Sequence, residues 1–386
     1  MPFPSFRVAL VLAAACGAFN AAAAESAAPI AAIVPKAPAP VEVGGAKRLF
    51  WEVHLAKYQA GDMQLDDFQV RDADTGALLS DDKGDALAAM LTHPGANPAP
   101  KDARTLPGGQ IAVIFVETTL PAGQPIPKTL KWTLTMSGRS RSDPTKILSA
   151  SEDGSTEVGQ GAPITVGFPF SGGTWMAVNG PSNTSGHRTS VQVINGRPKI
   201  SQRLAIDWIK LGADGRPYRG PLTVNASWCD FGTPVLAVAD GTVSDTHDGI
   251  PENTPPGRAV PITLETVGGN YIILDLGGGR FAFYAHLQPG SLKVRVGDHV
   301  ARGEPLALLG NTGNSDAPHL HFHITDASSP LGAEGVPYVF QAYTSLGTAN
   351  FDQLDAGGSW KATAAPVAVS EALPAENEVV EVPAIP

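Results

Sequence analysis

A chain of 386 residues with 43% apolar content can fill two or three packed cores, which excludes a disordered or fibrous protein. Lysine and arginine total 27 against 37 aspartates and glutamates, giving a formal charge of −10 with no basic block. That balance argues against phosphate-backbone binding, so no nucleic acid is expected as a partner.

The chain begins with Arg7, an apolar run from Val8 to Ala15, and Ala22-Ala23-Ala24 before Glu25, the three parts of a signal peptide. Residues 1–24 are therefore expected to direct export, with a periplasmic or secreted mature chain. The apolar run is too short for a permanent anchor, and no later stretch reaches the roughly 20 apolar residues of a membrane span. Cys16 lacks the upstream leucine of a lipid-attachment site. Cys229 is then the single cysteine of the mature chain, which leaves no internal disulfide to form.

Residues 25–42, mostly Ala, Pro, Val and Ile, have the composition of an extended linker. From 43 to 160, apolar or alternating runs at 48–55, 110–118 and 129–136 are separated by Gly- and Pro-rich turns, which predicts a β-sandwich-like accessory domain with one brief helix at 85–91. His54 and His93 stand alone in it and read as structural. Residues 161–345 continue in the same style. Val235 to Val243 reads as a hairpin across Asp240-Gly241, and 270–276 pairs with 280–287 across three glycines. Nothing alternates strand with helix, so the fold class is all-β with antiparallel sheets. From 346 to 386 the chain turns to Ala, Pro, Val and Glu, and its prolines predict a disordered tail.

The chemistry concentrates at 310–324, where a Gly-Asn-Thr-Gly turn leads into His319-Leu320-His321-Phe322-His323-Ile324. Side chains alternate along a strand, so the three histidines share one face while Leu320, Phe322 and Ile324 share the other. Imidazole is the commonest metal ligand, and alternate residues lie about 6.5 to 7 Å apart, so one ring can bind an ion while its neighbour works on substrate. Further candidates in this domain are His187, Asp207, His247, His286 and His299. Asp207 is a lone carboxylate in the apolar run 204–209, which is costly unless it is paired or bound to a cation.

Tyr284-Ala285-His286-Leu287, the Gly297-Asp298-His299-Val300 segment, Gly310-Asn311-Thr312-Gly313 and His319-Leu320-His321-Phe322, in that order, resemble the M23 metallopeptidase family, of the LytM and lysostaphin type. The resemblance covers roughly residues 200–330. It implies one zinc ion per chain, Asp207 and His321 as zinc ligands, and His286 and His319 as catalytic histidines. It also implies a zinc endopeptidase acting on peptidoglycan peptides. At the position of the family's usual first ligand, four residues before the aspartate, stands Arg203, which cannot bind zinc. His187 is the expected substitute, because Asn195-Gly196 predicts a hairpin that would return the chain towards Asp207, and because the stretch resembles a branch of the family with an upstream histidine. His323 is expected to support the ligands rather than join them, His247 and His299 to be solvated, and Asn311 to form the turn. The alternative is a catalytically silent relative that binds cell wall or activates a hydrolase, motivated by the missing histidine.

Overall fold

The computed structural model describes residues 29–140 and 142–385, so the signal expected at 1–24 lies outside the described residues. Within them the chain is all-β, and its helices reach at most six residues. Among the described residues no helix is long and apolar enough to cross a membrane.

The first unit is a sandwich. In one sheet Ala46–Ala56 pairs antiparallel with Ile111–Thr119; in the other Met63–Asp72 lies between Thr129–Arg139 and Leu78–Lys83. Alternation along Thr129–Arg139 turns Leu130, Trp132, Leu134 and Met136 inward, where they meet Leu49, Trp51, Val53 and Leu55 of the facing sheet. The second unit is built on a sheet of eleven strands. Its centre runs Glu378–Glu381, Thr174–Val178, Ile206–Leu211, Leu320–Thr325, Phe281–Leu287, Asn270–Asp275 and Gly241–His247, each antiparallel to the next. One face of this sheet buries Ile206, Trp208, Leu320, Phe322, Ile324 and Tyr284 in the main core. The other face carries Asp207, His321 and His323.

Three expectations are corrected. Val235 to Val243 is not a hairpin: Pro234–Leu236 pairs with Pro305–Leu308, while Gly241–His247 pairs with Asn270–Asp275. Neither Asp240 nor Gly241 has the positive φ of a tight hairpin turn, whereas Asn195 and Gly196, at 51° and 74°, do and close the hairpin between Gln192–Ile194 and Arg197–Lys199. The stretch 25–42 is not a free linker over its described part, since Ala31–Ile33 and Val41–Val43 both pair with Ala46–Ala56 and Val41 is buried in the main core. Nor is 346–386 a disordered tail. Tyr338–Thr348 runs into it, Val367–Ala372 pairs with that strand, and Glu378–Glu381 is inserted between it and Thr174–Val178. The prolines at 366, 374 and 383 flank these short valine-rich strands, where a missing N–H breaks no ladder.

Val380 is fully buried in the main core. Val380→Asp should therefore cost roughly 3 kcal/mol or more, the scale of an uncompensated buried charge, in urea or thermal unfolding. An unchanged midpoint would show that the C-terminal strand is not integral to the fold.

Candidate active site

Strand register builds the first half of the site. Asp207 lies directly opposite His321, and His321 directly opposite Ala285, so the carboxylate and the imidazole project from adjacent strands on the same face. His321 Nδ1 is 2.9 Å from Asp207 Oδ1. His187 arrives from outside the sheet, on the four-residue helix Gly186–Thr189, and its Nε2 is 3.3 Å from Asp207 Oδ2. Ligand atoms of His187, Asp207 and His321 all lie within 4.8 Å of one another, a donor set of two imidazoles and one carboxylate that suits zinc.

His319 and His286 complete the cluster. His319 Nε2 is 3.4 Å from Asp207 Oδ1, and the rings of His286 and His319 are 4.7 Å apart. Alternation would put His286 on the core face with Tyr284. Instead its backbone is left-handed, φ 65°, and the ring swings round to the site. A residue with a Cβ pays roughly 1 to 2 kcal/mol for this conformation, which the surrounding contacts must sustain.

Hydrogen bonds fix which nitrogen each ring offers. Nδ1 of His187, His286 and His319 faces the backbone carbonyls of Asn179, Thr312 and Ala317 at 3.0, 2.7 and 2.8 Å. A carbonyl only accepts, so Nδ1 carries a hydrogen in each and Nε2 is the nitrogen turned towards the site. His321 is the reverse case: its Nε2 can donate to His323 Nδ1, 2.9 Å away, which leaves Nδ1 open towards Asp207. Asn179, which the sequence reading missed, serves two ligands, since its carbonyl accepts from His187 and its amide donates to Asp207 Oδ2 at 2.9 Å.

Burial outweighs the pull of Asp207 and holds His321 down at about 4, and burial holds His286 well below the usual imidazole range. Both rings are neutral at physiological pH, so each keeps a nitrogen lone pair. For Asp207 burial acts upward, but the adjacent His187 and His319 override it and keep the carboxyl well below its usual range. The cluster opens into a cleft of about 1120 Å³, rimmed by Trp228, Arg258, Ile262 and Leu264, with room for an extended peptide.

The remaining candidates lie elsewhere. His299 is exposed and bonds Thr242, and His247 stacks on Tyr271 at 5.7 Å. Asn311 is buried, its amide bonded to Asn225. His93 Nε2 bonds the Ala103 carbonyl, while His93 Nδ1 and His54 Nε2 are buried without a hydrogen-bond partner among the described residues.

Asp230 is a further buried group, fully shielded, with neither carboxylate oxygen hydrogen-bonded among the described residues. Burial pushes its pKa up to about 8. The folded state thus binds a proton more tightly than the unfolded state, whose carboxyl titrates near 4. Between these values folding takes up a proton, so this group's contribution falls as pH rises. Asp230→Asn should gain stability relative to the native chain with increasing pH between 5 and 8, by at most about 1.4 kcal/mol per pH unit. Parallel unfolding curves at pH 5 and 8 would contradict this.

Residues 227–332, which include His286, His319 and His321, match Peptidase family M23. The chain is 32% identical over 103 residues to the peptidoglycan DD-endopeptidase ShyA of Vibrio cholerae, covering 27% of this chain and 20% of that protein. It is 28% identical over 143 residues to lysostaphin of Staphylococcus simulans, covering 34% of this chain and 25% of that one. The solved catalytic domain of that lysostaphin has a TM-score of 0.20 and 29% identity over 31% of this chain and 84% of its own. The matched stretch thus spans about a fifth to a quarter of these relatives' full length. Residues 227–332 thus form a domain that matches Peptidase family M23.

Proposed function

We propose that the chain is an exported zinc metalloendopeptidase that hydrolyses peptide bonds of bacterial peptidoglycan. The observation that carries this reading is the convergence of His187, Asp207 and His321 within 4.8 Å, beside two further histidines and at the floor of a peptide-sized cleft. Periplasmic or secreted location rests on the composition of residues 1–24, and the substrate class on the relatives named above.

His187, Asp207 and His321 would hold the ion. Bound there, zinc supplies a water of lowered pKa and a Lewis acid for the scissile carbonyl. The chain's own groups do the rest. His286, kept neutral by burial, accepts a hydrogen bond from the attacking water at Nε2 and so orients it. His319, whose affinity for protons is raised because Asp207 outweighs burial, takes the proton from the attacking water at Nε2 and delivers it to the amine nitrogen as the C–N bond breaks. Carbonyls 312 and 317 hold both rings in register for that exchange. The silent alternative drew on the absence of a histidine at position 203. His187 Nε2, 3.3 Å from Asp207 Oδ2, supports the enzyme reading, because it offers an imidazole where position 203 has none.

Mature protein dialysed after zinc loading should retain about one ion per chain. His187→Ala, Asp207→Ala and His321→Ala should each lose it. His286→Ala and His319→Ala should keep the ion while peptidoglycan digestion slows by about 10²- to 10⁴-fold. A folded native chain that holds no zinc would turn the assignment to a wall-binding or hydrolase-activating protein.

A further inference from the structure

We propose that Glu52, a residue of the first sandwich, is a positioning residue for the metal centre, because its grip on Arg188 and Arg203 fixes the short helix that carries His187. The inference rests on the zinc reading above. A four-residue helix has no stability of its own, so the place of His187 is set by what its neighbours hold.

The next residue, Arg188, is fully buried. Its guanidinium donates to Glu52 Oε1 and to the carbonyl of Trp51, 2.9 Å away, and lies over the rings of Phe50 and Phe115. All of these partners belong to the first sandwich, as does the Val116 carbonyl, which accepts at 3.4 Å. Glu52 is itself 1% exposed and also accepts from Arg203, Nε to Oε1 at 3.1 Å and Nη2 to Oε2 at 2.8 Å. Arg203, four residues before Asp207, donates in turn to Glu334 Oε2 at 2.8 Å and to the Gly335 carbonyl at 3.0 Å. Two guanidiniums and two carboxylates form a buried chain with Glu52 at its centre, and Lys199 Nζ reaches Glu334 Oε1 at its edge, 3.5 Å away. Burial alone would raise the Glu52 pKa, but the two arginines hold it at about 2. Without this carboxylate both guanidiniums lose a buried countercharge, and the segment at 186–189 loses its strongest tie. A second tie to the same sandwich is Asn183, whose amide donates to the Phe115 carbonyl at 2.7 Å.

The test uses the full mature chain, its zinc affinity measured by competition with a chromogenic chelator and its ligand field by the visible spectrum of the cobalt(II)-loaded protein. Glu52→Gln should weaken zinc binding about 10- to 100-fold, the usual effect of removing a ligand's support, and should alter the cobalt bands. Leu134→Ala, which loosens the core of the same sandwich, should lower the unfolding temperature and leave both metal readouts as in the native chain. A folded Glu52→Gln chain with native zinc affinity and native cobalt bands would overturn the proposal. Should that variant fail to fold, Asn183→Ala takes its place: weaker zinc binding supports the role of the interdomain ties, and unchanged binding overturns it. A native chain that binds neither metal defeats the zinc reading itself, whereas native binding shared by every variant defeats only the role of Glu52.

Discussion

A carboxylate flanked by buried apolar residues at the middle of the sheet is the constraint on which the second unit depends. Asp207 sits between Ile206 and Trp208, both fully buried, and a lone ion there would cost several kcal/mol. The Asn179 amide donates to one oxygen, and ring nitrogens of His321, His187 and His319 converge on the carboxylate, so a cation or a proton shared among them offsets its charge. The same arrangement that makes the carboxylate tolerable makes a cation site, since each imidazole turns an unprotonated or shareable nitrogen inward. Stability and chemistry are therefore not separable at this residue.

His187 is the one member of the cluster that the sheet does not place. His321 and Asp207 inherit their geometry from register, and His319 precedes the same strand as His321, but His187 rides on a segment anchored by long-range contacts. Arg203 stands close to Asp207 in sequence and still faces away from the centre, towards Glu52 and Glu334. The position that a resemblance would give to a zinc ligand is occupied by an ion pair that ties two units of the fold together. A ligand imported from residue 187 and an arginine committed to the domain contact are parts of one arrangement.

What could be read in the sequence is what depends on neighbours a few residues apart. The alternation of 319–324, the lone carboxylate in 204–209 and the Asn195-Gly196 turn are local signals; the structure brings Asp207 and His321 together and closes a hairpin at 195–196. The C-terminal strands were illegible because Ala, Pro, Val and Glu at low complexity look alike in a tail and in short strands between prolines; only the partners at 174–178 and 338–348 distinguish the two. Asp240-Gly241 misled for the opposite reason, since a good local turn signal was overruled by pairing with strands more than 25 residues away. Asn179 and Glu52 carry no local signal at all, for an asparagine in a loop and a glutamate in a strand acquire meaning only from groups that the fold brings to them.

His286 shows how the fold sustains a strained residue. Its left-handed backbone is held by three hydrogen bonds: its N–H to the Gly268 carbonyl at 3.0 Å, the Gly310 N–H to its own carbonyl at 3.1 Å, and its ring to the Thr312 carbonyl. Those partners come from two loops that must touch through their backbones. Gly269 and Gly313 permit it: a Cβ on Gly269 would fall 2.4 Å from the Thr312 carbonyl oxygen, and one on Gly313 would fall 2.2 Å from the Gly269 nitrogen. Both also have positive φ, 62° and 72°, so any side chain would be strained even with room to spare. The Gly-Asn-Thr-Gly turn that precedes the histidine strand thus does more than reverse the chain. It presses the Thr312 carbonyl against His286, selects the tautomer, and so couples the geometry of one loop to the nitrogen that faces the cleft.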